Sequence, residues 1–96
     1  MPTPPLSLRS RIRRKPEVLT ADIGGEIVMM SAELGEYYGL DAIASDIWSR
    51  LAETQLVEDL IKDLAAHYQG DPAAIEADVL DLLRTLAAKD LLVHEA

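Results

Sequence analysis

The 96-residue chain contains no cysteine and no long hydrophobic run. Without cysteine it can form no disulfide framework, no thiolate zinc site and no thiol nucleophile. Its longest strongly apolar run is about four residues, "IVMM" at 27–30, far shorter than a bilayer span or the core of a signal peptide. These absences favour a protein of the reducing cytoplasm with no membrane partner, and the length favours one domain around one core.

Basic residues are scarce after the first fifteen positions. Residues 1–15 carry five basic side chains and no acidic one, whereas residues 16–96 carry four basic and all seventeen acidic side chains. The net charge is therefore +5 in the first segment and −13 in the second. Because a body this acidic repels phosphate backbones, we expect no nucleic-acid partner for it.

The first sixteen residues, "MPTPPLSLRSRIRRKP", combine four prolines with clustered arginines and offer little apolar surface to bury. Such a composition is typical of a solvated, mobile terminus rather than of a specific contact with a polyanion. The sequence therefore predicts a flexible basic arm over 1–16 and a folded domain over 17–96.

Three short β-prone segments open the predicted domain, at 17–23, 26–31 and 36–40. A pair of glycines joins the first two segments, which is a strong hairpin signal, and Gly35 can take a left-handed conformation before the third. We predict a three-stranded antiparallel meander, which requires a helical layer against one face to be stable.

Apolar side chains recur at spacings of three and four along the rest of the chain and predict three helices. Asp41 is placed to cap the first helix, and Asp71 with Pro72 is placed to begin the third. Asp90 can take the left-handed exit position, and 91–93 can return as a short strand. The apolar stripes are Ile43, Ala44, Ile47, Trp48 and Leu51; then Leu56, Val57, Leu60, Ile61, Leu64, Ala65 and Tyr68; then Ile75, Val79, Leu82, Leu83 and Leu86.

The predicted fold class is thus α+β, a three-stranded antiparallel sheet followed by three helices, similar to a winged helix-turn-helix. A fold of this kind suggests DNA binding. However, the third helical segment and its exit have a net charge of −2, and specific DNA binding rests on several contacts between cations and phosphates. A winged-helix regulator whose basic arm supplies those contacts is therefore the weaker alternative.

Residues that could support catalysis are few. His67 and His94 lie far apart, and neither belongs to a pair at metal-ligand spacing. The glycines at 24, 25 and 35 are turn glycines rather than a phosphate-binding loop that opens a helix. We expect a protein that is not an enzyme and has neither a catalytic residue, nor a metal, nor a cofactor.

The third predicted strand, "EYYGL" at 36–40, is the edge of the meander, with unpaired backbone groups that face outward. An exposed edge beside a helix can accept a peptide as an added strand, with affinity from main-chain hydrogen bonds and specificity from neighbouring pockets. Peptide binding is therefore our main hypothesis. A domain that docks to an enzyme without touching a peptide is a further alternative.

The segments "GEIVMMSAELGEYYGLDAIASDIWSRL" and "LVEDLIKDLAAHYQGDPAAIEADVLDLLRTLAAKDLL" resemble the PqqD-like family of peptide-recognition domains over residues 17–93. This resemblance implies a non-catalytic adaptor that binds the leader of a ribosomally made precursor peptide. The form "YYGLDAIASDIW" is most similar to stand-alone domains of lasso-peptide pathways, which implies a leader protease and a cyclase as partners. A chaperone for a radical-SAM peptide-modifying enzyme is the alternative pathway.

In this family the leader is understood to add antiparallel to the third strand, in the cleft between that strand and the last helix. Carried onto this sequence, the resemblance implies these peptide-binding residues: Tyr37, Tyr38, Gly39, Leu40, Ile75, Asp78, Val79 and Leu82. Core packing is the competing role for Tyr38, Leu40, Val79 and Leu82, which have core spacing. The sequence leaves open which flank of the third helix faces the cleft, because Leu80 widens its stripe on the other side.

Overall fold

The computed structural model describes residues 6–31 and 35–95. The described residues form two three-stranded sheets and three helices. In chain order the elements are β1 (Arg11–Arg14), β2 (Leu19–Ile23), β3 (Glu26–Ser31), β4 (Glu36–Gly39), α1 (Ala42–Arg50), β5 (Gln55–Leu56), α2 (Val57–His67), α3 (Pro72–Ala88) and β6 (Leu92–Glu95).

The predicted meander is the sheet β2–β3–β4, which is antiparallel throughout. Gly24 and Gly25 both have positive φ, at 64° and 91°, and form the turn between β2 and β3. The backbone N–H of Gly25 donates to the Asp22 carboxylate at 2.9 Å, which fixes this turn locally. The hairpin is therefore present as predicted; Leu19 pairs with Met30 and Ile23 with Glu26, a register that the two-glycine turn sets.

The helices begin and end close to the predicted positions. Asp41 caps α1, its Oδ1 accepting from the Ala44 N–H at 2.8 Å, and Asp71 caps α3 by accepting from Ala73 at 3.1 Å. Asp90 has a φ of 60° and forms the left-handed exit from α3. Because the cap of α2 is Leu56, that helix begins without a side-chain hydrogen bond. Of the three helices described, none combines the length and the apolar character needed to span a bilayer.

The core lies between the inner face of the meander and the three helices. Trp48 of α1 is 2% exposed and is the largest side chain in it. The other members come from every helix, from β3 and from both terminal strands; the fully buried ones include Ile12, Met29, Ile47, Leu51, Val57, Leu60, Leu64, Leu83 and Leu86. The predicted helical stripes therefore converge on one core, and the predicted fold class is confirmed.

The second sheet, β5–β1–β6, was not predicted. Its central strand β1 pairs antiparallel with β5 on one side and with β6 on the other. The prediction of a flexible arm over 1–16 is therefore wrong for residues 11–14; residues 1–5 of that arm lie outside the described residues. A return strand was predicted at 91–93; the structure has it as β6 at Leu92–Glu95, and its partner is β1.

The composition of β1 does not indicate a core strand, because only one apolar side chain anchors it. Ile12 is 1% exposed in the core, while Arg11 is exposed and Arg13 pairs with an acidic side chain. Arg13 Nε lies 2.6 Å from Glu95 Oε1, and Thr54 also donates to the Glu95 carboxylate. The hydrogen bond from Arg13 lowers the pKa of Glu95 most strongly. The cluster of cations that suggested a solvated arm thus contains partners for the acidic C-terminal segment.

The anchoring role of Ile12 predicts a large loss of stability on truncation. Ile12→Ala should lower the free energy of unfolding by about 2–5 kcal/mol, the usual cost of removing a buried aliphatic side chain. Chemical denaturation followed by circular dichroism measures this loss. Leu19→Ala is the matched control, because Leu19 is 61% exposed on β2. Equal, small effects of both substitutions would show that residues 11–14 do not contribute to the core.

Candidate functional site

Strand β4 has one paired edge and one open edge among the described residues. It pairs only with β3, and no other described strand lies on its far side. The N–H of Leu40 donates to the Ile27 carbonyl at 2.8 Å, so residues of the same parity direct their backbone groups toward β3. The N–H and C=O groups of Tyr37 and Gly39 consequently point away from the sheet and are placed to pair with another strand.

The two adjacent tyrosines of β4 lie on opposite faces of the sheet, because side chains alternate along a strand. Tyr37 is 76% exposed on the outer face. Tyr38 is half-buried against the core on the helical side, where Leu40 is 3% exposed. Leu40 therefore contributes packing, and Gly39 contributes backbone groups without a side chain.

A cleft of about 260 Å³ lies between α1 and α3, beginning where β4 ends. Its lining is mostly aliphatic, with carboxylates at Asp41 and Asp78 and the ring of Tyr68. All four residues predicted on α3 line it: Ile75, Asp78, Val79 and Leu82. The structure thus places this flank of α3 on the cleft, while Leu80 packs against the core without lining it.

The α1 side of the cleft was missed by sequence reasoning. Asp41, Ile43, Ala44 and Ile47 line it, although their spacing assigned them to a helix cap and to the core. Ile43 is the informative member, since it is 51% exposed despite being a large aliphatic side chain. Its position at the margin of the apolar stripe of α1 is the signal that could have identified it.

Lys89 connects the other end of β4 to the end of α3. Its Nζ lies 3.8 Å from Glu36 Oε2 and 4.7 Å from the centre of the Tyr38 ring. A cation over an aromatic face and beside a carboxylate is attracted to both groups. Asp41 lines the cleft together with residues 75–82 of α3, and Glu36 lies beside Lys89 at the end of that helix. β4 and α3 therefore run in opposite directions, although no residue of β4 lines the cleft itself. We refer to the open edge of β4 together with this cleft as the groove.

The wall of the cleft at Tyr68 is held by a polar network. The Tyr68 hydroxyl donates to Asp46 Oδ2 at 2.7 Å, and Arg50 Nε donates to Asp46 Oδ1 at 3.1 Å. Partial burial raises the pKa of Asp46, but the hydrogen bonds from Tyr68 and Arg50 outweigh it, so this pKa lies below its ordinary value. The bond to Asp46 is also the main cause of the raised pKa of Tyr68. The ionised carboxylate therefore fixes the tyrosine that lines the cleft.

The structure separates the eight predicted site residues into two adjoining groups. Tyr37, Tyr38, Gly39 and Leu40 belong to β4 and the residue after it, and the four residues of α3 line the cleft beside the end of that strand. Val79, like Leu40, is almost fully buried and contributes little surface. An open strand edge and a neighbouring apolar cleft are the two elements that peptide binding by strand addition uses.

The class of protein with this combination of sheet, helices and groove is identified by comparison with known families. The family model described as coenzyme PQQ synthesis protein D (PqqD) matches residues 26–92. The chain belongs to the PqqD family, and the resemblance found in its sequence is confirmed.

Solved structures with the same fold include complexes with leader peptides. TbiB1 in complex with the TbiA(beta) leader peptide is 38% identical, with a TM-score of 0.76 over 88% of this chain and 98% of that one. A further structure, solved by solution NMR, is the PqqD part of Methylobacterium extorquens PqqCD, a stand-alone recognition element for ribosomally synthesised and post-translationally modified peptides. It is 27% identical, with a TM-score of 0.69 over 86% of this chain and 88% of that one. Lasso peptide synthetase B1 complexed with the leader peptide shares the fold at 24% identity and a TM-score of 0.73 over 85% of this chain and 96% of that one.

Among curated proteins, a PqqA binding protein of Xanthomonas oryzae pv. oryzae (strain PXO99A) is 42% identical over 53 residues. That alignment covers 55% of this chain. The chain spans 58% of the length of this relative. It matches the PqqA binding proteins of two further strains equally well, over the same share of their length.

The network behind the cleft predicts a measurable titration. Because the pKa of Asp46 is lowered in the folded state, its ionised form adds stability at neutral pH, and this contribution is lost as the pH falls through the folded-state pKa. Tyr68→Phe removes one hydrogen bond to the carboxylate, so it should raise the midpoint of the Asp46 carboxyl titration observed by NMR. Tyr37→Phe, on the exposed face of β4, should leave that midpoint unchanged. A midpoint insensitive to Tyr68→Phe would show that the hydroxyl does not stabilise the ionised carboxylate.

Proposed function

We propose that this domain is a non-catalytic adaptor that binds the leader of a ribosomally made precursor peptide by β-strand addition to β4. The observation that carries this proposal is the juxtaposition of the open β4 edge with the apolar cleft between α1 and α3. Family membership and the likeness to TbiB1, a protein solved with a leader peptide, support it.

The two halves of the groove supply different parts of the recognition. The outward backbone groups of Tyr37 and Gly39 can make four main-chain hydrogen bonds, each contributing about 1 kcal/mol net. Those bonds are nearly independent of the leader's sequence. The aliphatic cleft distinguishes side chains, since burying one large apolar side chain contributes about 1.5–3 kcal/mol. Ile75 and Leu82 of α3, both half-buried and lining the cleft, are placed to contact such a side chain.

We further propose that the adaptor works in the cytoplasm and delivers its leader to the protease and cyclase of a lasso-peptide pathway. The similarity of residues 37–48 to stand-alone domains of such pathways supports this assignment. A role as chaperone for a radical-SAM peptide-modifying enzyme is the second candidate, and the similarity to PqqA binding proteins favours it.

Binding of the leader encoded nearest the gene tests the main proposal. Isothermal titration calorimetry should give a dissociation constant on the order of 1 µM, which corresponds to about −8 kcal/mol. Gly39→Pro should weaken binding about tenfold or more, because it removes an outward N–H and leaves a leader carbonyl unpaired. Gly39→Ala should bind like the wild type, since an added Cβ at this position meets no atom within 4 Å and the N–H is retained.

Circular dichroism of both variants verifies that they fold. Equal leader affinities for Gly39→Pro and Gly39→Ala would contradict strand addition at β4. Absence of heat with wild-type protein at about 100 µM, a hundredfold above the expected constant, would contradict leader binding itself.

The pathway is tested with the enzymes encoded beside the gene. If the lasso-peptide assignment holds, wild-type protein should accelerate leader removal by the purified protease, and Gly39→Pro should reduce that acceleration at limiting precursor. Gly39→Ala serves as the control. Acceleration of a radical-SAM modification instead, with no effect on the protease, would support the second candidate.

A further inference from the structure

The two ends of the groove differ in charge. At the end where β4 passes into α1, the cleft lining contains the carboxylates of Asp41 and Asp78 and no lysine or arginine. At the opposite end, Lys89 is paired with Glu36. Uncompensated negative charge therefore lies at one end of the groove.

The carboxylates at this end retain capacity to accept hydrogen bonds. Asp41 uses Oδ1 to cap α1, which leaves Oδ2 available. Asp78 is exposed, and it makes no hydrogen bond or ion pair with the part of the chain that the structure describes. Ionised carboxylate oxygens are acceptors only, so the side chains that complement them are donors, and lysine and arginine gain an additional Coulomb attraction.

The direction of the added strand determines where in the leader sequence a complementary cation must lie. β4 runs from Glu36 to Gly39 and continues to Asp41. A leader added antiparallel to it has its N-terminal side at the Asp41 end and its C-terminal side at the Glu36–Lys89 end. A cation that reaches Asp41 and Asp78 must therefore precede the leader residues that pair with β4.

We propose that the groove selects leaders that carry lysine or arginine next to an apolar anchor, on the N-terminal side of the segment paired with β4. This inference rests on the proposed leader-binding function. The apolar anchor occupies the aliphatic cleft, and the cation lies at its rim with its aliphatic stem along Ile43, whose side chain is half exposed. Long basic side chains combine an apolar stem with a charged head in this way.

An ion pair between the leader's cation and Asp41 or Asp78 contributes modestly to affinity, because the rim of the cleft is exposed to solvent. Exposed ion pairs change affinity by up to about fivefold and are screened by salt. The pairs therefore set preference and orientation among leaders, while the strand edge and the cleft supply most of the affinity.

The test begins with a random peptide library displayed on phage and selected on the wild-type domain. Gly39→Pro serves as the counter-selection, so that only peptides that need the β4 edge are kept. We expect the retained peptides to be enriched in lysine or arginine near an apolar residue, on the N-terminal side of the segment whose amides become protected from exchange on binding. No enrichment, or enrichment on the C-terminal side, would overturn this inference and leave leader binding intact. Failure to recover any Gly39-dependent peptide would overturn both.

A double-mutant cycle with one selected peptide then assigns the contact. Replacing the peptide's lysine by glutamine should weaken its binding to the wild-type domain about two- to fivefold. The same replacement should have little effect on the peptide's binding to the Asp78→Asn variant. Asp41→Asn, which keeps a side-chain oxygen for the cap of α1, provides a second variant that is expected to fold. Asp63→Asn on α2, an exposed carboxylate outside the cleft, is the control for the overall charge. Equal sensitivity to the lysine in all of these variants at low ionic strength would overturn the assignment.

Discussion

The open edge of β4 is the constraint on which the proposed function of this domain depends. Backbone N–H and C=O groups need hydrogen-bond partners, and an edge strand meets this need with water or with another chain. Here the backbone groups of Tyr37 and Gly39 point outward from the edge of the meander, while its inner face packs on the helices. The hairpin turn at Gly24 and Gly25 fixes the register of β2 and β3, and pairing with β3 then determines which groups of β4 face outward.

The second sheet connects segments that lie on either side of α2 and α3 in the chain. β1 lies between β5 and β6, so it joins the segment that precedes α2 to the segment that follows α3. The left-handed turn at Asp90 brings the chain from α3 into β6. The position of α3, one wall of the cleft, is thereby tied to both ends of the described chain. Lys89, at the end of α3, lies beside Glu36 and Tyr38 of the meander.

Much of this architecture could be predicted from local patterns. The glycine pair, the capping aspartates and the apolar stripes each act over a few residues, so the meander and the helices were evident from the sequence. β1 was not, because one buried isoleucine among arginines has no periodicity, and its partners lie more than forty and eighty residues away at Leu56 and Glu95. Its pairing is a tertiary effect that a local pattern does not encode.

Sequence reasoning identified one wall of the cleft, and the peptide-binding role of its residues stays a prediction. The four residues carried over to α3 do line the cleft, and the structure resolves which flank faces it because Leu80 packs elsewhere. The contribution of α1 was missed because Ala44 and Ile47 have the spacing of core residues and in fact are buried. A residue can be part of the core and still expose one side to a cleft, and hydrophobic periodicity does not separate these roles.

Under the proposed function, the short length of β4 determines how much of a precursor the domain holds. Four residues at about 3.3 Å each span roughly 13 Å, so the footprint on a bound leader is brief. In that function the remainder of the precursor extends beyond the Glu36–Lys89 end as a tether. The length of this tether then sets how far from the domain a processing enzyme can act. One adaptor of this design can therefore serve precursors whose modified regions differ completely, provided that they share the short anchored stretch.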